Sequence, residues 1–162
     1  MFKIFFSLLI TINLLIAASF NFSEVRYSDA IGKHIQLNGQ ITFLENGLKI
    51  YYPKNARSLH YENDSLIYKE HGEEIALGSL QAGQIMSYFD MLILLHNGDE
   101  KAYDGMFEVE KKDDIIMLKS IGSIKNYVTN IEMLKEKDIL KQVKLFLKND
   151  DTITITIDDE IQ

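Results

Sequence analysis

The stretch LQAGQIMSYFDMLILL (residues 80–95) differs from the rest of the chain, because its apolar residues run together and Asp90 is its only charge. The sequence on either side alternates apolar and polar residues, as in TITITI (residues 152–157). A helix that is apolar on most sides is typically a buried one, and a membrane span needs roughly 20 apolar residues. The sequence therefore predicts one buried helix, residues 80–96, within a chain of strands.

The residues before this helix alternate with the period of two that is typical of β-strands. The segments that alternate are FNFSEVRYSDA (20–30), HIQLNGQITF (34–43), LKIYY (48–52), RSLHYE (57–62) and SLIYKE (65–70). In the second segment Ile35, Leu37, Ile41 and Phe43 share one face, and Gly39 is a position where a bulge or a bend is tolerated. Asn63-Asp64 between the last two segments is a short hairpin signal.

The residues after the helix repeat the pattern. MFEVEKKDDIIMLK (106–119) predicts two strands about a Lys-Asp-Asp turn, and three more strands follow in NYVTNIEML, DILKQVKLFLK and DTITITID. Eight to ten antiparallel strands in a meander follow from this count. The predicted fold class is therefore mainly β, an α+β domain with one helix.

The N-terminus has the features of a secretory signal peptide. Lys3 precedes the apolar stretch IFFSLLITINLLIAA, and Ala17 and Ser19 are small residues suited to the cleavage site. Residues 1–19 are thus a predicted signal peptide and residues 20–162 one mature domain, placed in the periplasm. The alternative is an uncleaved N-terminal anchor. The chain has no cysteine, which excludes both a lipid-anchored lipoprotein and a disulfide framework.

Charge and motif content exclude several functions. The formal net charge is −7, and −8 without Lys3, with no basic stripe, so nucleic acid is not an expected partner. His34, His60, His71 and His96 lack metal-ligand spacing, and no nucleophile, phosphate-loop or dinucleotide motif occurs. Paired aspartates at the strand ends are typical of turns. The sequence predicts a non-enzyme with no metal site and no cofactor.

The order of these segments resembles the periplasmic outer-membrane lipoprotein carriers, the LolA-like family. The likeness rests on a strand ending GQITF, then GLKIYYP, a hairpin with YENDSLIYKE, the apolar helix followed by NGD, and a strand pair with IIMLKS. It implies a strongly curved antiparallel sheet, an unclosed half-barrel, with the helix as plug or lid over an apolar hollow. The implied function is a carrier that shuttles lipoprotein acyl chains or lipid toward the outer membrane, between inner-membrane donor and outer-membrane acceptor proteins.

Two features depart from the family pattern. Family members begin with a helix, whereas FNFSEVRYSDA has a strand pattern. They also carry an Arg-Pro pair whose arginine latches the lid, and the equivalent stretch LENGLKIYYP has no such arginine. Arg57 lies farther along and is not assigned that role.

The candidate site residues are the apolar strand positions of one parity and the apolar helix positions that would meet them. A one-residue slip of register would invert the strand set. The predicted ligand-binding residues of the hollow are Ile41, Phe43, Leu48, Ile50, Tyr52, Leu59, Tyr61, Leu66 and Tyr68. The predicted lid residues are Ile85, Met86, Phe89, Leu92 and Ile93.

A second function remains open from sequence. Residues 80–95 are equally compatible with the core helix of a closed α+β domain. The protein would then be a non-catalytic periplasmic interaction or assembly module that binds partners through an exposed strand edge.

Overall fold

The computed structural model describes residues 18–98, 100–137 and 139–161. These ranges contain eleven β-strands, one α-helix and four short 3-10 turns. The strands and the α-helix are β1 (Ala18–Ser28), β2 (Lys33–Leu44), β3 (Gly47–Tyr52), β4 (Arg57–Glu62), β5 (Ser65–Glu70), β6 (Glu73–Glu74), α1 (Ser79–Asn97), β7 (Phe107–Lys112), β8 (Ile115–Ser120), β9 (Val128–Glu136), β10 (Ile139–Leu147) and β11 (Thr152–Glu160).

All eleven strands form one antiparallel sheet, in the order β6-β5-β4-β3-β2-β1-β11-β10-β9-β8-β7. The sheet is curved and unclosed, because β6 and β7 lie at opposite edges. The predicted fold class, a mainly β half-barrel with one helix, is confirmed. The expected single meander is instead two meanders joined by pairing of β1 with β11, because α1 and the turn after it lead the chain from one edge to the other.

The predicted hairpin turn lies between β4 and β5. Asn63 and Asp64 have φ values of 50° and 60°, the left-handed conformation that a two-residue hairpin turn requires. Gly39 is not at a bulge, since its pairing with Phe22 is regular. A Cβ at residue 39 would lie 2.4 Å from the Tyr51 carbonyl oxygen and 2.8 Å from the Phe22 ring, so glycine is needed there for close packing.

Helix α1 extends one residue beyond the predicted segment at each end. It packs against the sheet, but only Phe89, Leu92 and Leu95 of its residues are fully buried, and Leu80 is 77% exposed. The expectation of burial on most sides was too strong, because one sheet covers one side of the helix. Within the described ranges, α1 does not combine the length and the hydropathy that a membrane-spanning helix needs.

The first strand begins within the predicted signal peptide. Residues 1–17 lie outside the described ranges, so the signal peptide remains a prediction. Ala18 pairs with Phe43, and the hydroxyls of Ser19 and Thr42 are 2.8 Å apart. The predicted strand character of FNFSEVRYSDA is confirmed through Ser28. Cleavage after Ser19 would remove two residues of β1.

Candidate functional site on the helix-covered face

The predicted hollow residues lie together on the face of the sheet that α1 covers, here called the inner face. Strand register aligns them in two rows across β2 to β5. One row contains Phe43, Leu48, Tyr61 and Leu66, and the other contains Ile41, Ile50, Leu59 and Tyr68. Tyr52 is the ninth predicted residue. All nine are buried except Leu66 and Tyr68, which are half-buried. Their role as ligand contacts remains a prediction.

One residue of the predicted alternation does not join this face. Ile35 has the same parity as Ile41 and Phe43 but is 56% exposed. It lies opposite Arg26, close to the turn that joins β1 to β2. The hairpin extends here past the part of the sheet that α1 covers, so parity alone does not bury the side chain.

The predicted lid residues differ in burial. Phe89 and Leu92 are buried, whereas Ile85, Met86 and Ile93 are partly buried and pack against the core. The set omitted Leu95, which has no exposed surface. A helical spacing of three from Leu92 was the signal that could have added it.

The inner face continues across the second meander, which the candidate set left out. Ten further apolar residues are buried there: Phe107, Leu118, Val128, Ile131, Met133, Leu140, Val143, Leu145, Ile155 and Ile157. The same period-two alternation that located the first set applies to these strands. The apolar face is therefore about twice as wide as the predicted one.

Two aromatic contacts fix the C-terminal half of α1 to the sheet. The His96 imidazole stacks on the Phe43 ring, with centroids 3.6 Å apart and planes 2° from parallel. The centroids of the Phe89 and Tyr61 rings are 6.1 Å apart. Both sheet residues belong to the predicted hollow, so the helix rests directly on the candidate site.

A hydrogen bond joins the same helix to β4. The Tyr61 hydroxyl donates to Asp90 Oδ1 at 2.6 Å and lies 3.3 Å from Asp64 Oδ1. The hydrogen bond to Asp90, and then burial, raise the pKa of Tyr61, so the phenol stays protonated and can donate at neutral pH. Tyr61 and Asp90 thus make a polar contact between helix and sheet that does not involve an arginine.

His96 is held in a site that disfavours its charged form. Burial, and then the positive charge of Lys135, lower the pKa of His96 to about 4. Its Nδ1 atom is buried without a hydrogen-bond partner. The imidazole is therefore neutral at pH 7, and its protonation would oppose the stacked position.

A polar cluster interrupts the apolar inner face at β1. Glu24 is 1% exposed, forms an ion pair with Arg26 and accepts a hydrogen bond of 3.3 Å from the Tyr52 hydroxyl. Arg57 lies over the Tyr52 ring, 4.7 Å from its centroid. Sequence reasoning missed this cluster, although Glu24 has the same parity as the buried Phe20 and Phe22.

The opposite face of β2 to β5 has different chemistry. A groove of about 370 Å³ on this face is lined in part by Thr42, Lys49, Tyr51, His60 and Lys69. These residues alternate with the buried set along each strand. In the described ranges, no three His, Asp or Glu side chains are grouped so as to hold a metal ion.

The chain can be compared with protein families, curated proteins and solved structures. No protein-family model matches the sequence, and no curated protein matches it significantly. Among solved structures, the chain is similar to a LolA superfamily protein, NE2245, from Nitrosomonas europaea, with a TM-score of 0.41 and 9% identity. The alignment covers 89% of this chain and 84% of that chain.

Proposed function

We propose that this protein is a periplasmic carrier that binds the acyl chains of lipids or lipoproteins on its inner face, with α1 as a displaceable lid. The observation that carries the proposal is the wide apolar inner face of the sheet. Helix α1 covers part of this face, and only three of its residues are fully buried. Two polar atoms of that helix, the Tyr88 hydroxyl and His96 Nδ1, are buried without partners.

The energies of the lid and of a ligand are similar in size. A fully buried large apolar side chain contributes about 1.5–3 kcal/mol, so Phe89, Leu92 and Leu95 hold the helix with about 5–9 kcal/mol. Each unpartnered buried polar atom costs about 1–3 kcal/mol. Ten buried methylenes of an acyl chain contribute about 8 kcal/mol, enough to replace the contacts of the helix.

The cellular part of the proposal rests on the predicted signal peptide. Secretion would place the mature chain in the periplasm, where acylated lipoproteins and lipids cross between two membranes. A carrier there would take its ligand from an inner-membrane donor protein and release it to an outer-membrane acceptor protein.

The first test is identification of bound lipid. The full-length precursor would be expressed in a bacterium, purified from the periplasm without detergent, extracted and analysed by mass spectrometry. We expect phospholipid or acylated peptide at close to one molecule per chain. A ligand-free protein that also takes up no lipid from vesicles would contradict the proposal.

A disulfide between helix and sheet tests whether α1 must move. The chain has no cysteine, and the stacked side chains of Phe43 and His96 are adjacent, so Phe43→Cys and His96→Cys can be combined. We expect the oxidised double variant to lose lipid uptake and to recover it on reduction. Each single variant under the same oxidant is the control. Unchanged uptake by a protein with a proven disulfide would rule out the lid.

A non-catalytic interaction or assembly module is the second candidate function. In this structure α1 occupies the inner face, and β7 lies at the sheet edge with β8 as its one strand partner in the described ranges. A peptide strand could pair there by β-augmentation. A ligand-free protein whose binding to an envelope partner is lost in Val109→Pro, with fold retained, would favour this function.

A further inference from the structure

The polar cluster of the inner face holds one fully buried carboxylate whose oxygens are both engaged. Arg26 binds Glu24 Oε1, and the Tyr52 hydroxyl donates to Oε2 at 3.3 Å. The Arg26 side chain is 48% exposed, so its outer side is accessible to solvent. Glu24 therefore has a positive group at the open side of the cluster and a phenol at its inner side.

Two donors around Tyr52 lack an acceptor. Arg57 Nε is buried with no hydrogen-bond partner, and so is the Tyr88 hydroxyl of α1. Arg57 lies over the Tyr52 ring. Tyr88 is close enough to Glu24 for the carboxylate charge to add to burial in raising its pKa, which keeps the phenol protonated. An arginine nitrogen can donate a hydrogen bond but cannot accept one. The cluster therefore lacks an oxygen atom that accepts hydrogen bonds from these donors.

We propose that this cluster binds the anionic oxygen head of an amphipathic ligand, a carboxylate or a phosphate, whose chains lie on the inner face. Arg57 would donate to the head group, and so would Tyr88 once α1 closes over the bound chains. Arg26 would attract it from the open side, and the Glu24–Tyr52 hydrogen bond would hold Tyr52 beneath Arg57. This inference rests on the proposed carrier function and names the class of ligand.

The carboxylates near the cluster favour an anion over an amine as the ligand group. Glu24 is paired as described, and Glu70, which lies opposite Arg57 across β4 and β5, accepts a hydrogen bond from the Tyr68 hydroxyl. A cationic head would have to displace one of these donors and would meet two guanidinium groups. An anionic head would satisfy the two unpartnered donors without displacing a contact.

Fluorescence titration of the full-chain protein with matched lipids tests this. cis-Parinaric acid is compared with its methyl ester, and phosphatidic acid bearing the same chain with the corresponding diacylglycerol. Because charged hydrogen bonds are roughly twice as strong as neutral ones, we expect an anionic probe to bind about tenfold tighter than its neutral partner. The pair with the larger ratio identifies carboxylate or phosphate as the preferred head.

Two variants of the cluster and one control test whether the preference for an anionic probe over its neutral partner depends on the cluster. We expect Arg57→Gln to abolish it and Tyr88→Phe, which keeps the ring, to reduce it about threefold. Lys49→Gln removes a cation from the opposite face and should leave it unchanged.

Two results would overturn the inference in different ways. Equal affinity for neutral and anionic probes, or a preference that survives in both cluster variants, would refute the head-group site and leave the carrier function intact. Failure to bind any of the four lipids would refute the carrier function itself. Thermal unfolding of each variant confirms that the fold is retained.

Discussion

The two halves of α1 contact the sheet very differently. Residues 89–97 contain all three fully buried side chains of the helix, the hydrogen bond from Tyr61 to Asp90 and the His96 stack on Phe43. None of residues 79–88 is fully buried, and Leu80 is 77% exposed. The C-terminal half, which is also the more apolar one, is therefore strongly attached to the sheet, and the N-terminal half is weakly attached.

This difference indicates how a lid could open without unfolding the sheet. The N-terminal half of the helix has few contacts to lose, so it can leave the inner face at low cost. The C-terminal half, next to β2 and β4, would leave last, as the ligand replaces its buried contacts. In the proposed carrier, the partly buried Ile85 and Met86 would be the helix residues that exchange most readily between sheet and ligand.

The largest expected effect comes from a charge in the attached half. Leu92→Asp places a carboxylate at a position that is 3% exposed, which costs about 4 kcal/mol or more when the charge stays buried. We expect the helix to detach and the protein to retain no lipid, because nothing then covers the bound chains, while the strand signal in far-ultraviolet circular dichroism remains. Leu80→Asp in the other half should change stability by less than about 0.5 kcal/mol. Equal losses of stability in Leu92→Asp and Leu80→Asp would show that the two halves of α1 do not differ in their attachment to the sheet.

Acid should weaken the same half through His96. The pKa of His96 falls to about 4 in the folded protein from about 6.5 for an exposed histidine. The unfolded state therefore binds more protons between these values, and stability decreases as pH falls from about 6.5 to 4. The imidazole is partly exposed, so we expect a loss on the order of 1 kcal/mol.

Urea unfolding as a function of pH measures this effect. His96→Gln removes the titrating group, and its stability should vary less than that of the parent across the same interval. Identical pH profiles for the two proteins would show that His96 does not respond to acid in this way.

Removing the hydroxyl of Tyr61 has a moderate effect. Tyr61→Phe deletes the hydrogen bond to Asp90, which is itself exposed and can be hydrated. We expect a loss of about 1 kcal/mol in stability and faster uptake of lipid. The control Tyr51→Phe removes a phenol that is 43% exposed on the opposite face. A larger loss in the control would show that the contact between Tyr61 and Asp90 does not fasten the helix.

The strands and the helix could be predicted from the sequence, but the contacts between helix and sheet could not. Alternation predicted the strands and the shared face of Ile41, Phe43 and Tyr61, because side-chain direction in a strand has a fixed period of two. The apolar stretch predicted α1 to within one residue at each end. Local patterns of this kind depend on neighbours in the chain, which the sequence lists in order.

The missed features depend on residues that are distant in the chain. Pairing of β1 with β11 turned the expected meander into two, and no local pattern encodes that pairing. The link from Tyr61 to Asp90 spans 29 residues and that from Glu24 to Tyr52 spans 28. Ile35 has the right parity but lies beyond the covered area, since burial depends on what packs above a strand.

The smallest expected effect tests the weakly attached half. Gly83 lies inside α1, and a Cβ there would meet no atom within 4 Å. Gly83→Ala should therefore stabilise the protein by about 0.5–1 kcal/mol, because glycine loses more backbone freedom on forming a helix. Gly78→Ala makes the same change at the N-cap, where space is also open but glycine is preferred over alanine, so it should be neutral or slightly destabilising. Urea unfolding distinguishes the two signs. If Gly83→Ala brought no gain, residues 79–88 would contribute no helical stability to the folded state, and the difference between the two halves of α1 would be greater than the buried contacts indicate.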